Sequence, residues 1–141
     1  MFRAAFAVAI KAPKGHQVSF QKNLNFIYWL KEQGFNIKGV TSDTFQNAYV
    51  GQALVAHKFN YSVLSVDRLE DRICKPYQYL RTVIYDENIK LFNHKLLIDE
   101  LIGLERDNNS GKIDHSPSSI NSKDVADALC GSVYRAAQDA A

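Results

Sequence analysis

Stretches typical of β-strands and of α-helices alternate along this chain of 141 residues. Short apolar runs predict strands at Ala4–Ile10, Asn36–Thr41, Tyr61–Val66 and, as either a short strand or a turn, Ile89–Asn93. Apolar residues at helical spacing predict helices at Ser19–Gln33, Thr44–Lys58, Pro76–Tyr85, His94–Arg106 and Lys123–Gln138. Because alternating strands and helices usually build a sheet with crossover helices, we expect an α/β fold.

The composition is that of an ordinary globular protein. Hydrophobic residues make up 46% of the chain and charged residues 23%, and residues 1–141 are enough for one core, so we expect a single domain. No apolar run reaches the ~20 residues that a membrane span needs, so no membrane partner is expected. Cys74 and Cys130 lack the spacing of a metal site and indicate free thiols in a reducing compartment.

Positive charge is concentrated near the N-terminus. Residues 1–31 contain five Lys or Arg residues and no acid, and the first acid is Glu32. A basic edge of this kind is compatible with contact to a phosphate backbone, although a solvated basic strand and turn explains it too.

Two aspartates follow predicted strands. Asp43 ends the segment VTSD and Asp67 follows YSVLSV, and active sites of α/β sheets gather at the carboxyl ends of strands. Each has a simpler explanation. Asp43 is a good helix N-cap with Gln46 three residues later, as in a capping box, and Asp67 precedes Arg68, as in a local ion pair or turn.

The last predicted helix carries two acids, Asp124 and Asp127, on a segment that is otherwise small or apolar on nearly every side. Such a helix is usually buried, and two buried carboxylates need a compensating positive charge. Capping by Asn121 or Ser122 and the helix dipole explain Asp124. A hard divalent ion such as Mg²⁺ or Mn²⁺, held by carboxylate oxygens, explains both acids.

An ordered set of short motifs resembles a known family. The segments VTSDTFQN, VLSVDR, PY, ELIGLE, GKIDHSP and SKDVADAL follow one another between about residues 16 and 138. In this order they are similar to the C-terminal nuclease domain of phage terminase large subunits, the DNA-packaging motors of tailed phages and prophages. The resemblance implies an RNase H-like fold, with a mixed central sheet flanked by helices.

The resemblance also implies a chemistry and its residues. Asp43, Asp124 and Asp127 are the implied catalytic and metal-binding acids of a two-metal site for Mg²⁺ or Mn²⁺ that hydrolyses double-stranded DNA. Lys123 contacts a phosphate or lies solvated beside a cap, and Asp67 is a possible substitute ligand. The implied partners are double-stranded DNA, the terminase ATPase segment, the small terminase subunit and the portal, in the cytoplasm of a bacterial host.

The sequence departs from the family pattern at its N-terminal side. Family members carry a further acid on the first strand and an ATPase with a phosphate-binding loop, and neither is found before Glu32. We therefore expect an N-terminally truncated sheet and weak or no nicking by the chain alone. Two alternatives remain open: an inactive prophage remnant or DNA-binding module with the same fold, and an unrelated α/β binding domain whose acids are caps.

Overall fold

The computed structural model describes residues 1–43, 48–116 and 122–141. Their elements, in chain order, are β1 (Phe2–Arg3), α1 (Phe20–Glu32), β2 (Val40–Ser42), α2 (Ala48–Ala56), β3 (Tyr61–Val63), α3 (Lys75–Tyr85), β4 (Ile89–Lys90), α4 (Lys95–Ile102), β5 (Leu104–Arg106), β6 (Ile113–His115) and α5 (Asp124–Ala140). The chain divides into two compact units: an inserted unit, Ala9–Leu64, and a terminal unit, Met1–Val8 with Ser65–Ala141.

The described residues of the inserted unit form a parallel strand pair and two helices. Strands β2 and β3 pair in parallel, with Val40 opposite Tyr61, and α2 lies between them in sequence. Helix α1 begins where the Ser19 hydroxyl accepts a hydrogen bond from the Lys22 amide, and it buries Leu24. Leu24 packs with two other buried residues, Leu54 and Phe59, so these elements share one hydrophobic core.

The described residues of the terminal unit form three helices and two strand pairs. Helices α3 and α4 both pack on α5. The buried side chains of these helices include Leu80, Leu97, Cys130 and Val133. Strands β1 and β4 pair in parallel, whereas β5 and β6 form an antiparallel hairpin. The free thiols expected at Cys74 and Cys130 are confirmed, and both are buried.

The α/β class is confirmed, with parallel and antiparallel strand pairs in one chain. Within the described ranges the strands form three separate pairs, so the RNase H-like arrangement with a central sheet stays a prediction. The single-domain prediction also stays a prediction. None of the helices described is long and apolar enough to cross a membrane.

Two predicted elements were wrong. No strand is formed over the predicted range Ala4–Ile10; the strand near the N-terminus is β1 at Phe2–Arg3, and its ladder with β4 ends at the hydrogen bond from the Ala4 amide to the Lys90 carbonyl. The helix predicted at His94–Arg106 ends at Ile102, because Gly103 is its C-cap and the next three residues pair with β6. The spacing of apolar residues had predicted Leu104 to be part of the helix.

The other predictions agree more closely. Helices α1, α3 and α5 lie where the sequence predicts them, and the alternative of a short strand at Ile89–Asn93 is confirmed by β4. Strands β2 and β3 are shorter than predicted. Helix α2 lies within the predicted segment Thr44–Lys58, whose first four residues are outside the described residues.

Candidate functional site

The first turn of α5 carries the two acids that the sequence singles out, in different surroundings. Asp124 is exposed, whereas Asp127 is half-buried. The expectation of a helix buried on nearly every side is wrong, because Ala128 and Ser132 are exposed. The buried face instead carries Val125, Ala126, Cys130, Gly131 and Val133. Of these two acids, Asp127 is therefore the one that needs a compensating charge within the protein.

That charge comes from Lys123. Its Nζ lies 2.5 Å from Oδ1 of Asp67 and 3.0 and 3.2 Å from the two carboxylate oxygens of Asp127. The Tyr77 hydroxyl donates a hydrogen bond to Oδ1 of Asp127, and the Lys123 ammonium lies 5.5 Å from the centre of the Tyr77 ring. We call Asp67, Tyr77, Lys123 and Asp127 the Lys123 cluster. A lysine thus bridges two acids that are distant in sequence.

The Lys123 side chain is only 13% exposed, against 20% for Asp127 and 40% for Asp67. Burial lowers the pKa of Lys123, but hydrogen bonds and the charges of both aspartates outweigh it, so the pKa is raised overall. Burial raises the pKa of Asp127 against the hydrogen bonds from Tyr77 and Lys123. Burial and the hydrogen bond to Asp127 raise the pKa of Tyr77, which keeps its hydroxyl protonated.

Two sequence interpretations of this region were wrong. Lys123 is not a solvated lysine beside a cap, and Asp67 pairs with Lys123 rather than with its neighbour Arg68. Asp67 does lie in a turn, as expected. Sequence reasoning missed the cluster because 56 residues separate Asp67 from Lys123.

A buried glutamate from another helix caps α5. Oε1 of Glu100 accepts hydrogen bonds from the Val125 and Ala126 amides at 2.8 and 2.9 Å, and Glu100 is 1% exposed. Ser122 contributes a weaker contact at 3.3 Å to the Asp124 amide, and Asn121 lies outside the described residues. A signal for Glu100 was available, because it lies three residues after the buried Leu97 on the same face of α4.

Asp43 lies in the inserted unit, directly after β2. It is half-buried, and the Gln46 that would complete a capping box lies outside the described residues. The preceding Ser42 hydroxyl shares a hydrogen bond with the Tyr61 hydroxyl across the strand pair. The approach of Asp43 to Asp124 and Asp127, which belong to the other unit, stays a prediction.

The carboxylates of the predicted acids are suitable ligands for a hard divalent ion. The contacts that Asp127 makes, however, are not those of a metal ligand. Carboxylate oxygens are the ligands that Mg²⁺ and Mn²⁺ choose. Both oxygens of Asp127 are already hydrogen-bonded by Lys123, and one also by Tyr77. Among the described residues, no group of three or more acidic, histidine or cysteine side chains is placed to hold a metal ion. A cation reaching Asp127 would have to displace the lysine.

A cavity of about 910 Å³ opens in the terminal unit between α3, α4 and the β5–β6 hairpin. Its lining is mainly apolar and includes Leu80, Ile84, Leu101 and Ile113. The carboxylates of the Lys123 cluster do not line it, but Tyr77, whose hydroxyl donates to Asp127, does. The cavity and the acidic site therefore share Tyr77.

Comparison with known proteins gives one strong likeness, in structure. No protein-family model matches the sequence, and no curated protein matches it significantly. The structure superposes on the crystal structure of the large terminase nuclease from thermophilic phage G20c with a TM-score of 0.61 and 19% sequence identity. The fold is that of a terminase nuclease. The match covers 81% of this chain and 61% of the phage G20c chain, so this chain spans less than two thirds of that nuclease.

Proposed function

We propose that this chain is a nuclease domain of a phage DNA-packaging terminase, which hydrolyses phosphodiester bonds in double-stranded DNA. The observation that carries the proposal is the likeness to the phage G20c terminase nuclease over 81% of the chain. The ordered sequence motifs, from VTSD to SKDVADAL, support it independently of the structure. The RNase H-like arrangement of the sheet and the terminase partners belong to the same proposal.

The proposed acids are Asp43, Asp124 and Asp127, with Mg²⁺ or Mn²⁺ as the cofactor. Bound ions of this kind supply an activated water and stabilise a leaving oxygen. The chain itself contributes carboxylates for binding, and Asp124 is exposed to solvent and reachable. The basic residues of the N-terminal segment, Arg3, Lys11, Lys14, Lys22 and Lys31, are proposed to contact the phosphate backbone. Asp127 joins the set only if Lys123 moves away, so we expect weak activity.

A nicking assay on supercoiled plasmid tests the proposal. The chain is incubated with plasmid in Mn²⁺ or Mg²⁺, with EDTA as the metal-free arm. We expect slow nicking that EDTA abolishes and that Asp43→Asn and Asp124→Asn both abolish. Asp99→Asn is the matched control, because Asp99 is an acid on α4 outside the proposed set, and it should cleave like the unchanged chain.

Two outcomes would argue against the proposal. Nicking that persists in EDTA, or that survives both substitutions, would show that the proposed acids are not the active site. Binding to double-stranded DNA with no nicking in either metal would identify a DNA-binding module that has this fold without catalysis.

A further inference from the structure

The start of α5 is capped by a side chain from another helix. The first amides of an α-helix have no partner within it and need an acceptor from elsewhere. The Val125 and Ala126 amides both donate to Oε1 of Glu100, at 2.8 and 2.9 Å. The N-cap residue, Lys123, makes no side-chain capping hydrogen bond. These two amides are therefore capped from α4 rather than from the N-cap position.

We propose that Glu100 is a positioning residue of the nuclease site, which holds the first turn of α5 and thereby fixes the carboxylates of Asp124 and Asp127. The inference rests on the proposed function for the role of these two acids. The amides that Glu100 binds belong to the two residues between them, so one anchored turn carries both acids. Glu100 acts through the backbone of this turn.

Glu100 is a more costly cap than helix formation alone requires. It is 1% exposed, and its second carboxylate oxygen, Oε2, has no hydrogen-bond partner within the described residues. A serine or aspartate at the N-cap would avoid burying a carboxylate with an unpaired oxygen. The N-cap position is instead occupied by Lys123, whose ammonium contacts Asp67 and Asp127. Capping from α4 thus leaves position 123 free for the lysine that joins these two acids.

The packing around Glu100 suits it to hold a turn in place. Its helix, α4, packs on α5, and Leu97, three residues before Glu100, is 1% exposed. Closely packed side chains have little room to change conformation. The carboxylate also lies at the N-terminal end of α5, where the helix dipole favours an anion. The first turn of α5 is thus tied to the core rather than to a solvent-exposed side chain.

Three substitutions at position 100 test the inference. Glu100→Leu removes both hydrogen bonds, Glu100→Asp keeps the charge but shortens the side chain, and Glu100→Gln keeps the one oxygen that accepts both bonds. Hydrogen exchange by NMR compares the Val125 and Ala126 amides with the Val133 amide in the middle of α5. The ammonium proton signal of Lys123 reports on its contacts with the aspartates. Nicking of supercoiled plasmid in Mn²⁺ is measured on the same proteins.

We expect the two capped amides to exchange about tenfold faster relative to Val133 in Glu100→Leu and Glu100→Asp, because their acceptor is lost or withdrawn. The ammonium signal of Lys123 should disappear as the turn loosens. The nicking rate should fall about tenfold, with plasmid affinity unchanged, because the acids are no longer held in position. Glu100→Gln should keep all three quantities within about threefold of the unchanged chain.

Leu97→Ala is the matched control, because it removes a buried side chain from the same helix and leaves Glu100 in place. It should lower the urea midpoint of unfolding. The exchange ratio, the ammonium signal and the nicking rate should stay as in the unchanged chain. A general loss of stability is thereby distinguished from a loss of positioning.

The readouts separate this inference from the proposed function. Exchange and the ammonium signal need no cleavage, so they decide whether Glu100 holds the two acids even if the unchanged chain does not nick and the proposed function is wrong. If Glu100→Leu does not fold, as judged by circular dichroism, Glu100→Asp gives the answer. Unchanged exchange and ammonium signals in the folded variant would overturn the inference. Undiminished nicking in that variant, or the same losses in Leu97→Ala, would overturn it too.

Discussion

Two lysine–aspartate pairs in the terminal unit share one sequence spacing and differ in everything around them. Lys95 and Asp99 lie four residues apart on α4 with an N···O distance of 2.7 Å, and Lys123 and Asp127 lie four residues apart at the start of α5 with 3.0 Å. The α4 side chains are 88% and 38% exposed, against 13% and 20% for the α5 pair. Spacing predicts the contact, but only the surroundings decide its strength.

The two pairs differ because of residues that lie outside their four-residue segments. The α4 pair contacts solvent, where ion pairs contribute little. The α5 pair has two further partners from other parts of the chain, Asp67 and Tyr77. Each added partner desolvates the others and strengthens their electrostatic interaction. The pair on α5 is therefore part of a network, whereas the pair on α4 is an isolated surface contact.

The largest expected difference between the pairs is in the cost of removing the lysine. In metal-free buffer with EDTA, Lys123→Met should lower the free energy of unfolding by about 1–3 kcal/mol, because Asp67 and Asp127 lose their shared cation. Lys95→Met should change it by less than about 0.5 kcal/mol. Urea unfolding of both variants measures the difference. Equal costs for the two substitutions would mean that the two pairs are energetically alike.

A smaller effect is expected from the tyrosine that only the α5 pair has. Tyr77→Phe keeps the buried ring and removes the hydroxyl that donates to Asp127. We expect a loss of about 1 kcal/mol in the free energy of unfolding. In an Asp127→Asn background, the loss in free energy of unfolding caused by Tyr77→Phe should change, because the Tyr77 hydroxyl contacts the Asp127 carboxylate. A double-mutant cycle by urea unfolding measures this coupling. An unchanged loss would show that the hydroxyl stabilises the protein through another contact.

The smallest expected effect is the response of the two pairs to salt. The coupling between Lys95 and Asp99 should be about 0.3–0.5 kcal/mol at low ionic strength and should fade as sodium chloride is raised. The coupling between Lys123 and Asp127 should change less, because these side chains are shielded from the solvent that carries the salt. Double-mutant cycles with alanine at low and high salt compare them. If salt weakened both couplings equally, the predicted difference between the exposed pair and the shielded pair would be wrong.

The sequence predicted what local signals encode. Helix α1 has Ser19 as its N-cap and Gly34 just beyond its end, with φ of +95°, and both signals are visible in the sequence. The acids of α5 were also identified from the sequence alone. The hairpin strand β5 was missed because Leu104 continues the helical spacing of α4, and only pairing with β6 makes it a strand.

The parts of the site that could not be predicted depend on tertiary contacts. Nothing near Lys123 in sequence indicates that Asp67 lies 2.5 Å from it. The position of Glu100 on the buried face of α4 can be read from the sequence, but its hydrogen bonds to the Val125 and Ala126 amides of α5 cannot. Asp43 was identified from its position directly after a strand, and its approach to Asp124 and Asp127 stays a prediction.

The pairing of β1 with β4 has a consequence for how the chain is made. Phe2 pairs with Ile89, and the whole inserted unit, Ala9–Leu64, lies between them in sequence. On the ribosome, the inserted unit can fold from contiguous chain before β4 has been synthesised, since units fold as they emerge. Closing the long loop between β1 and β4 is a late, non-local step and is intrinsically slow. Strand β1 can thus pair with β4 only after the whole segment Ala9–Leu64 has been synthesised.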